Sequence, residues 1–440
     1  HGDDDMSVFG TDGIRGRAGE GLLTRETVTG LAAGFAGALD GGAVAVARDT
    51  RESGLWLRDA VVAGLTSAGA DVRDLGVLPT PALSFAVEAD AALGGGVMIT
   101  ASHNPWHDNG LKLFGPDGTK ASDALQNASE AAFRADSASA TTPGTVLGAT
   151  HGAVRAAYLA SLAGPRLDRL IVYDDAAGAA AGVLLDALGE GTDRIALAPP
   201  PDGRNINEGV GAVHPEAAAA RVLESGAWAG LVVDGDGDRI MLVDEAGAVH
   251  DGDAILGFLA DRMHAAGDLR GGAVVGTLTT NGGLAAYLAE RDIGLVRTPV
   301  GDRHVSAAMR AGGCNLGGET SGHVLTPDLC PTGDGIRTGL LVLRLAMASG
   351  RPLSELLGAV PKFPSATRKV RDRGDRPPIE RLLGGPELRP LLGRIDAGGG
   401  RPLVRYSGTE PYLRIQVEGP SVDLVEAWAD QLAAVAGGLL

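Results

Sequence analysis

Val97-Met98-Ile99-Thr100-Ala101-Ser102-His103-Asn104-Pro105, running on into Trp106-His107-Asp108-Asn109-Gly110-Leu111-Lys112, is the stretch on which the reading of this chain turns. A short apolar, β-branched run gives way to small and polar residues, and a Pro and a Gly then force turns. The pattern predicts a buried strand leaving the carboxyl edge of a sheet. Loops at such edges hold reactive groups on a rigid scaffold. This one displays Ser102, His103, His107, Asp108, Asn109 and Lys112, more chemistry than a polar surface turn requires.

Working outward, the plan of apolar strand, carboxyl-end loop and small-residue helix recurs around Val44, Val172 and Val275. It reads as a weak internal triplication of an α/β unit. Near Pro361 the pattern changes: Pro, Arg and Gly are frequent through Leu392, and a strand then enters Arg405 and resumes at Leu413. The 440 residues exceed one ordinary core. The expected fold is α/β: three similar mixed α/β domains (residues 6–150, 151–250 and 251–365) plus a smaller α+β C-terminal domain (366–440), tethered by the Pro/Arg/Gly-rich segment.

A net charge of -17 argues against a nucleic-acid or anionic-membrane surface, though a few arginines can still dominate a small phosphate pocket. The two cysteines, Cys314 and Cys330, offer neither a disulfide framework nor a CxxC site. Apolar runs break well short of a membrane span, and the start has no signal-peptide pattern, so a cytoplasmic protein is expected.

Asp234-Gly235-Asp236-Gly237-Asp238-Arg239 follows an apolar strand. Glycines let such a loop bend until its carboxylates converge, and converged carboxylates repel unless a cation joins them. All-oxygen ligands point to Mg²⁺ rather than Zn²⁺; a charged turn is the plain alternative. Arg405-Tyr406-Ser407-Gly408-Thr409, with Arg414 beyond it, offers guanidinium forks, hydroxyls and backbone N–H groups for a phosphate, or is an ordinary surface loop. Arg15, Arg239 and Arg303 are further candidates for an anion-binding wall. Glu319-Thr320-Ser321-Gly322-His323 can bind sugar hydroxyls beside a titratable His, unless His323 makes only a structural hydrogen bond. Ser102 lacks a GxSxG elbow, and adjacent His103 need not reach it as a base. A phosphorylated Ser102, lending Mg²⁺ an oxygen, is the better assignment. No GxxxxGK[ST] phosphate loop occurs.

Over essentially its whole length the chain resembles the α-D-phosphohexomutase family. The segments Gly10-Thr11-Asp12-Gly13-Ile14-Arg15-Gly16, Thr100–Pro105, Asp234–Arg239, Gly318–His323 and Arg405–Pro411 look like that family's loops in order. The resemblance implies four domains around a central cleft, a phosphoserine at Ser102, and Mg²⁺ on Asp234, Asp236 and Asp238. It implies reversible phosphate movement between the 6- and 1-positions of a hexose phosphate through a sugar 1,6-bisphosphate. In that scheme Lys112 and His323 transfer protons, Arg15 and Arg239 stabilise phosphoryl charge, and His103 is a charge or phosphate partner. Glu319, Thr320 and Ser321 read the sugar, and Arg405, Ser407, Gly408, Thr409, Arg414 and Arg303 hold phosphate.

Phe9–Gly16, Val300–Arg303 and Pro331–Ile336 look most like the bacterial members that act on glucosamine phosphate. They imply conversion of glucosamine 6-phosphate to glucosamine 1-phosphate, with glucosamine or glucose 1,6-bisphosphate as activator. Thr320 stands where those members usually have Gln or Asn, and where phosphomannomutase/phosphoglucomutases usually have Met. Activity of the latter kind, or on a special pathway sugar, is the alternative. A homodimer through the first domain is also implied. A Mg²⁺-dependent sugar-phosphate phosphatase and a non-catalytic sugar-phosphate binder are the competing classes.

Overall fold

The computed structural model describes residues 8–10, 13–135, 140–148, 150–372, 376–407 and 412–440. Three α/β domains and a smaller C-terminal domain follow one another along the chain. The first sheet has six strands in the order 14–17, 108–114, 93–99, 43–48, 72–77, 146–147. The second has five, in the order 249–250, 240–243, 229–233, 171–174, 194–196. The third has four, in the order 294–298, 273–277, 317–318, 324–325.

One motif repeats in all three. The strand around Val44, Val172 or Val275 pairs in parallel with a neighbour, and that neighbour turns straight back as an antiparallel hairpin. The hairpin turns are the Ser102 loop, the Asp234–Arg239 loop and the Glu319–His323 loop. Parallel strands share one carboxyl edge, so the three loops occupy equivalent positions. Ala43–Arg48 and Ala229–Val233 are buried on both faces, as their unbroken apolar character requires.

One continuous apolar core, from Ala43 to Val360, joins these three domains, whereas the C-terminal domain has its own core around Leu413, Ile415, Val425 and Leu432. The Pro/Arg/Gly-rich stretch is more than a tether. It contributes the strand Ser365–Arg371 and the helices Ile379–Gly384 and Leu388–Ala397 to the last domain. The strand escapes a composition-based reading because Arg and Lys cover its outer face, with Ala366 its only fully buried residue. Among the described residues no helix is long and apolar enough to cross a membrane.

Candidate active site

Ser102 leaves its strand with φ of 52° and no exposure to solvent. Left-handed backbone at a residue with a Cβ costs about 1–2 kcal/mol, so the surroundings must enforce it. Thr100 Oγ1 accepts the Ser102 N–H at 2.9 Å. Buried Arg51 donates to the carbonyls of Ser102 (3.0 Å), Asn104 (2.8 Å), Asp108 (2.9 Å) and Pro105, and is itself aimed by Asp49 at 2.8 Å. From the second domain, Asn207 Nδ2 donates to the carbonyls of Ser102 (2.9 Å) and Asn104 (3.1 Å). Gly235 passes so close that a Cβ there would lie 2.5 Å from Ser102 O. The sequence reading missed Arg51 and Asn207, because nothing local distinguishes them from surface residues.

Asp234, Asp236 and Asp238 are all buried, with one oxygen from each within 4.8 Å of the others. Ser102 Oγ donates to Asp234 Oδ2 at 2.5 Å, and Thr80 Oγ1 to Asp236 Oδ2 at 2.5 Å. Lys112 Nζ bridges Asp236 (2.7 Å) and Asp238 (2.9 Å). Burial, then the charges of Asp236 and Asp238, push Asp234 upward. Burial acts the same way on Asp238, but Lys112 and His323 hold it well below the usual carboxylate range. Asp236 Oδ1 and Asp238 Oδ1 are buried without a hydrogen-bond partner among the described residues. Carboxylate oxygens left without hydrogen bonds suit a hard divalent cation, although Asp238 Oδ1 also faces His323 Nδ1 at 3.5 Å.

A cleft of about 810 Å³ opens above this cluster, walled by Arg15, His103, Lys120, Arg239, Asp302, Glu319, His323, Lys369 and Arg414 among others. His103 Nδ1 lies 3.3 Å from Ser102 Oγ. Burial, then Arg239 and Arg15, drive its pKa down to about 3. These shifts favour the neutral imidazole, which can still hydrogen-bond a phosphate. His323 sits between Asp238 (3.5 Å) and Asp302 (3.2 Å). Burial alone would lower it, but the two carboxylates raise it to about 10. His323 is thus an imidazolium and no base at neutral pH. Lys120, which pairs with Asp302 at 2.5 Å, and Asp302 itself were also missed.

In the sugar-reading loop Glu319 faces the cleft, its Oε1 accepting the Gly301 N–H at 3.0 Å. Thr320 turns its hydroxyl away, to Asp253 at 3.0 Å, which corrects its expected contact with the sugar. Ser321 Oγ is buried without a partner among the described residues. Gly322 has φ of 87°, and a Cβ there would lie 2.1 Å from Ile240 O, so this loop is seated against the second domain.

The C-terminal sheet places Lys369, Arg414 and Arg405 directly opposite one another across its three antiparallel strands. Lys369 and Arg414 line the cleft, and burial and then Arg414 lower the pKa of Arg405, against Glu319. Lys369 was missed because its strand was. Ser407 is buried at the end of the same sheet; Gly408 and Thr409 lie outside the described residues. Arg303 is not at the cleft. It pairs with Asp123 at 2.7 Å beside a neighbouring groove, because on the first turn of its helix Asp302 takes the cleft-facing direction.

Residues 6–140 match the family model of phosphoglucomutase/phosphomannomutase α/β/α domain I, residues 251–363 that of domain III, and residues 368–435 that of the C-terminal domain. The chain is 42% identical over 441 residues to a phosphoglucosamine mutase of Novosphingobium aromaticivorans, covering 96% of this chain and 97% of the relative. It is 43% identical over 454 residues to a phosphoglucosamine mutase of Rhodospirillum centenum, covering 97% and 94%. The structure of a phosphoglucomutase/phosphomannomutase family protein from Burkholderia thailandensis superposes with a TM-score of 0.80 at 25% identity, covering 98% of this chain and 97% of that one. Fold, loop order and whole-length similarity together place this chain in the α-D-phosphohexomutase family.

Proposed function

We propose that the protein is a phosphohexomutase that interconverts glucosamine 6-phosphate and glucosamine 1-phosphate through a phosphorylated Ser102. The observation that carries the reading is buried Ser102 Oγ, 2.5 Å from Asp234, next to a cleft lined by His103 and Asp238 and also by Lys369 and Arg414. The amino sugar is supported by the phosphoglucosamine mutases to which the chain is 42–43% identical.

In this reading Ser102 carries the phosphoryl group. Arg414 and Lys369 bind the phosphate already on the sugar, and so aim the free hydroxyl at Ser102. The bond from phosphorus to Ser102 Oγ breaks as the bond to the sugar hydroxyl forms, giving a 1,6-bisphosphate. In that transfer the proton of the sugar hydroxyl passes to Ser102 Oγ, which donates it in a hydrogen bond to Asp234 Oδ2 in the dephosphorylated state. The intermediate then turns over in the cleft and returns its other phosphoryl group to Ser102 Oγ as that proton goes back to the sugar oxygen. A Mg²⁺ held by Asp234, Asp236, Asp238 and the Ser102 phosphate would supply charge neutralisation during transfer. Arg15, Arg239 and the His323 imidazolium stabilise phosphoryl charge. Lys112, whose Nζ bridges Asp236 and Asp238, is the candidate to pass the hydroxyl proton, while His323, raised to about 10 by its carboxylates, acts by charge. Glu319 binds hexose hydroxyls. The separate core of the C-terminal domain suits a lid that clamps the substrate and excludes water. The free thiols of Cys314 and Cys330 suit a cytoplasmic setting.

The test is phosphorus NMR of the protein with glucosamine 6-phosphate, Mg²⁺ and a trace of hexose 1,6-bisphosphate. Appearance of glucosamine 1-phosphate is expected. Release of inorganic phosphate instead rejects a mutase in favour of a phosphatase, and strong preference for glucose or mannose phosphates rejects the sugar assignment.

A further inference from the structure

Asp253 is a buried carboxylate that the reaction above does not use. It stands in the first turn of the helix Gly252–Ala266, directly behind the Glu319–His323 loop. Its Oδ2 accepts from Thr320 Oγ1 at 3.0 Å and from the Asn281 N–H at 2.8 Å. Its Oδ1 is buried with no hydrogen-bond partner among the described residues. The preceding residue, Gly252, donates its N–H to Thr320 O at 3.1 Å, and a Cβ on it would lie 2.0 Å from Glu319 O. The start of this helix therefore grips Thr320 by both its hydroxyl and its carbonyl.

Asn281, the other partner, is a junction. Its side chain accepts the Phe363 N–H at 2.9 Å and donates to Phe363 O at 3.1 Å, holding the chain that leads into the C-terminal domain. The next N–H, of Gly282, donates to Glu418 Oε2 of the C-terminal sheet at 2.9 Å. Glu418 pairs with Arg401 at 2.5 Å, and Arg401 also donates to Leu278 O (2.9 Å) and Thr280 O (2.7 Å). The loop from Thr277 to Gly282 thus carries the C-terminal domain by both its linker and its sheet. Asp253 bonds this loop and the sugar-reading loop at once, and Thr320 Oγ1 also reaches Thr279 O directly, at 3.4 Å.

We propose that Asp253 is a positioning residue for the hexose-reading loop, acting through the Thr320 hydroxyl to hold that loop in register with the one that carries the phosphate-clamping domain. The proposal rests on the phosphohexomutase reading. Glu319, next to Thr320, faces the hexose, while Arg414 and Lys369 ride on the clamping domain. Asp253 fixes the distance between the two ends of the bound sugar phosphate. The hydroxyl of a β-branched Thr is held close to its backbone, which makes the link short and stiff.

The experiment compares Thr320→Val, which removes the hydroxyl at nearly constant shape, Thr320→Ser, which keeps it, Asp253→Ala, and the Val/Ala double variant. Thr320→Val is expected to raise KM for the hexose 6-phosphate by about three- to tenfold with kcat changed less than about twofold. Thr320→Ser restores the wild-type KM. The double variant is no worse than Asp253→Ala alone, because both changes break one link. Wild-type turnover is measured first and tests the functional reading by itself; its absence overturns both. With the wild type active, an unchanged KM in Thr320→Val overturns the positioning role even if the melting temperature falls. KM effects that simply multiply in the double variant overturn the coupling.

Discussion

Replacing Arg51 by Met keeps much of its apolar stem and removes the guanidinium that folds the Ser102 loop. The ion pair it breaks has no exposure on either side chain. Asp49 would retain two hydrogen bonds, from Thr100 Oγ1 at 2.7 Å and the residue 51 backbone N–H at 3.0 Å, but no counter-charge. Stranding a buried partner in this way costs about 3–5 kcal/mol. The carbonyls of Ser102 and Asn104 are backed up by Asn207, so they add little to that figure. The total is a large share of the roughly 5–15 kcal/mol that separates folded from unfolded chains. Arg51→Lys keeps the charge but cannot reach four carbonyls at once, and should lose about half as much stability. Its larger effect should be on turnover, because a reactive group displaced by ~1 Å loses about a hundredfold in rate. Urea unfolding followed by tryptophan fluorescence reports the first effect, since Trp106 lies in this loop and Trp56 on the helix that follows Arg51, and the mutase assay reports the second. Arg51→Met unfolding at the wild-type urea concentration with wild-type kcat would refute the clamp.

Burial and then the charge of Asp251, against Lys362, push Asp253 up to about 7. A raised carboxyl favours the protonated native form, so stability present below the unfolded value of 3.8 is lost as pH rises through about 7. Asp253→Asn should flatten the fall in urea midpoint between about pH 4 and pH 7. Mg²⁺ should raise the melting temperature, worth about 2.7 kcal/mol at a hundredfold excess over its Kd; chelation should reverse the shift, and an Asp236→Asn/Asp238→Asn variant should show none. Arg414→Gln should raise KM by about ten- to a hundredfold, the worth of a charge-assisted hydrogen bond to phosphate, with a smaller change in kcat measured in the same assay.

Much of this site is written in local sequence. Asp234, Asp236 and Asp238 alternate with glycines within five residues, and Ser102 follows an apolar strand, so chemistry and backbone are adjacent in the chain. The triplication around Val44, Val172 and Val275 matches three sheets built alike, but the loops it named follow those strands, whereas the Ser102, Asp234–Arg239 and Glu319–His323 loops follow their parallel neighbours. What escaped is long-range. Arg51 and Asn207 reach the Ser102 loop across 51 and 105 residues, and Lys369 reaches the cleft through strand register alone. Side-chain direction was equally hidden. Thr320 and Arg303 lie in the expected segments but turn to Asp253 and Asp123, because buried or neighbouring carboxylates claim them first. Titration depends on surroundings too: burial and then two arginines lower His103, whereas Asp238 and Asp302 raise the buried His323.

The central claim is that Ser102 Oγ carries the phosphoryl group between positions of the sugar. Intact-mass spectrometry with peptide mapping, after brief exposure to a hexose 1,6-bisphosphate and then to excess hexose monophosphate, addresses it directly. The account predicts one phosphoryl group, located on Ser102, gained in the first step and passed to the sugar in the second, with neither seen in Ser102→Ala. A phosphoryl group on another residue, or a Ser102→Ala variant that still interconverts the sugar phosphates, would contradict it.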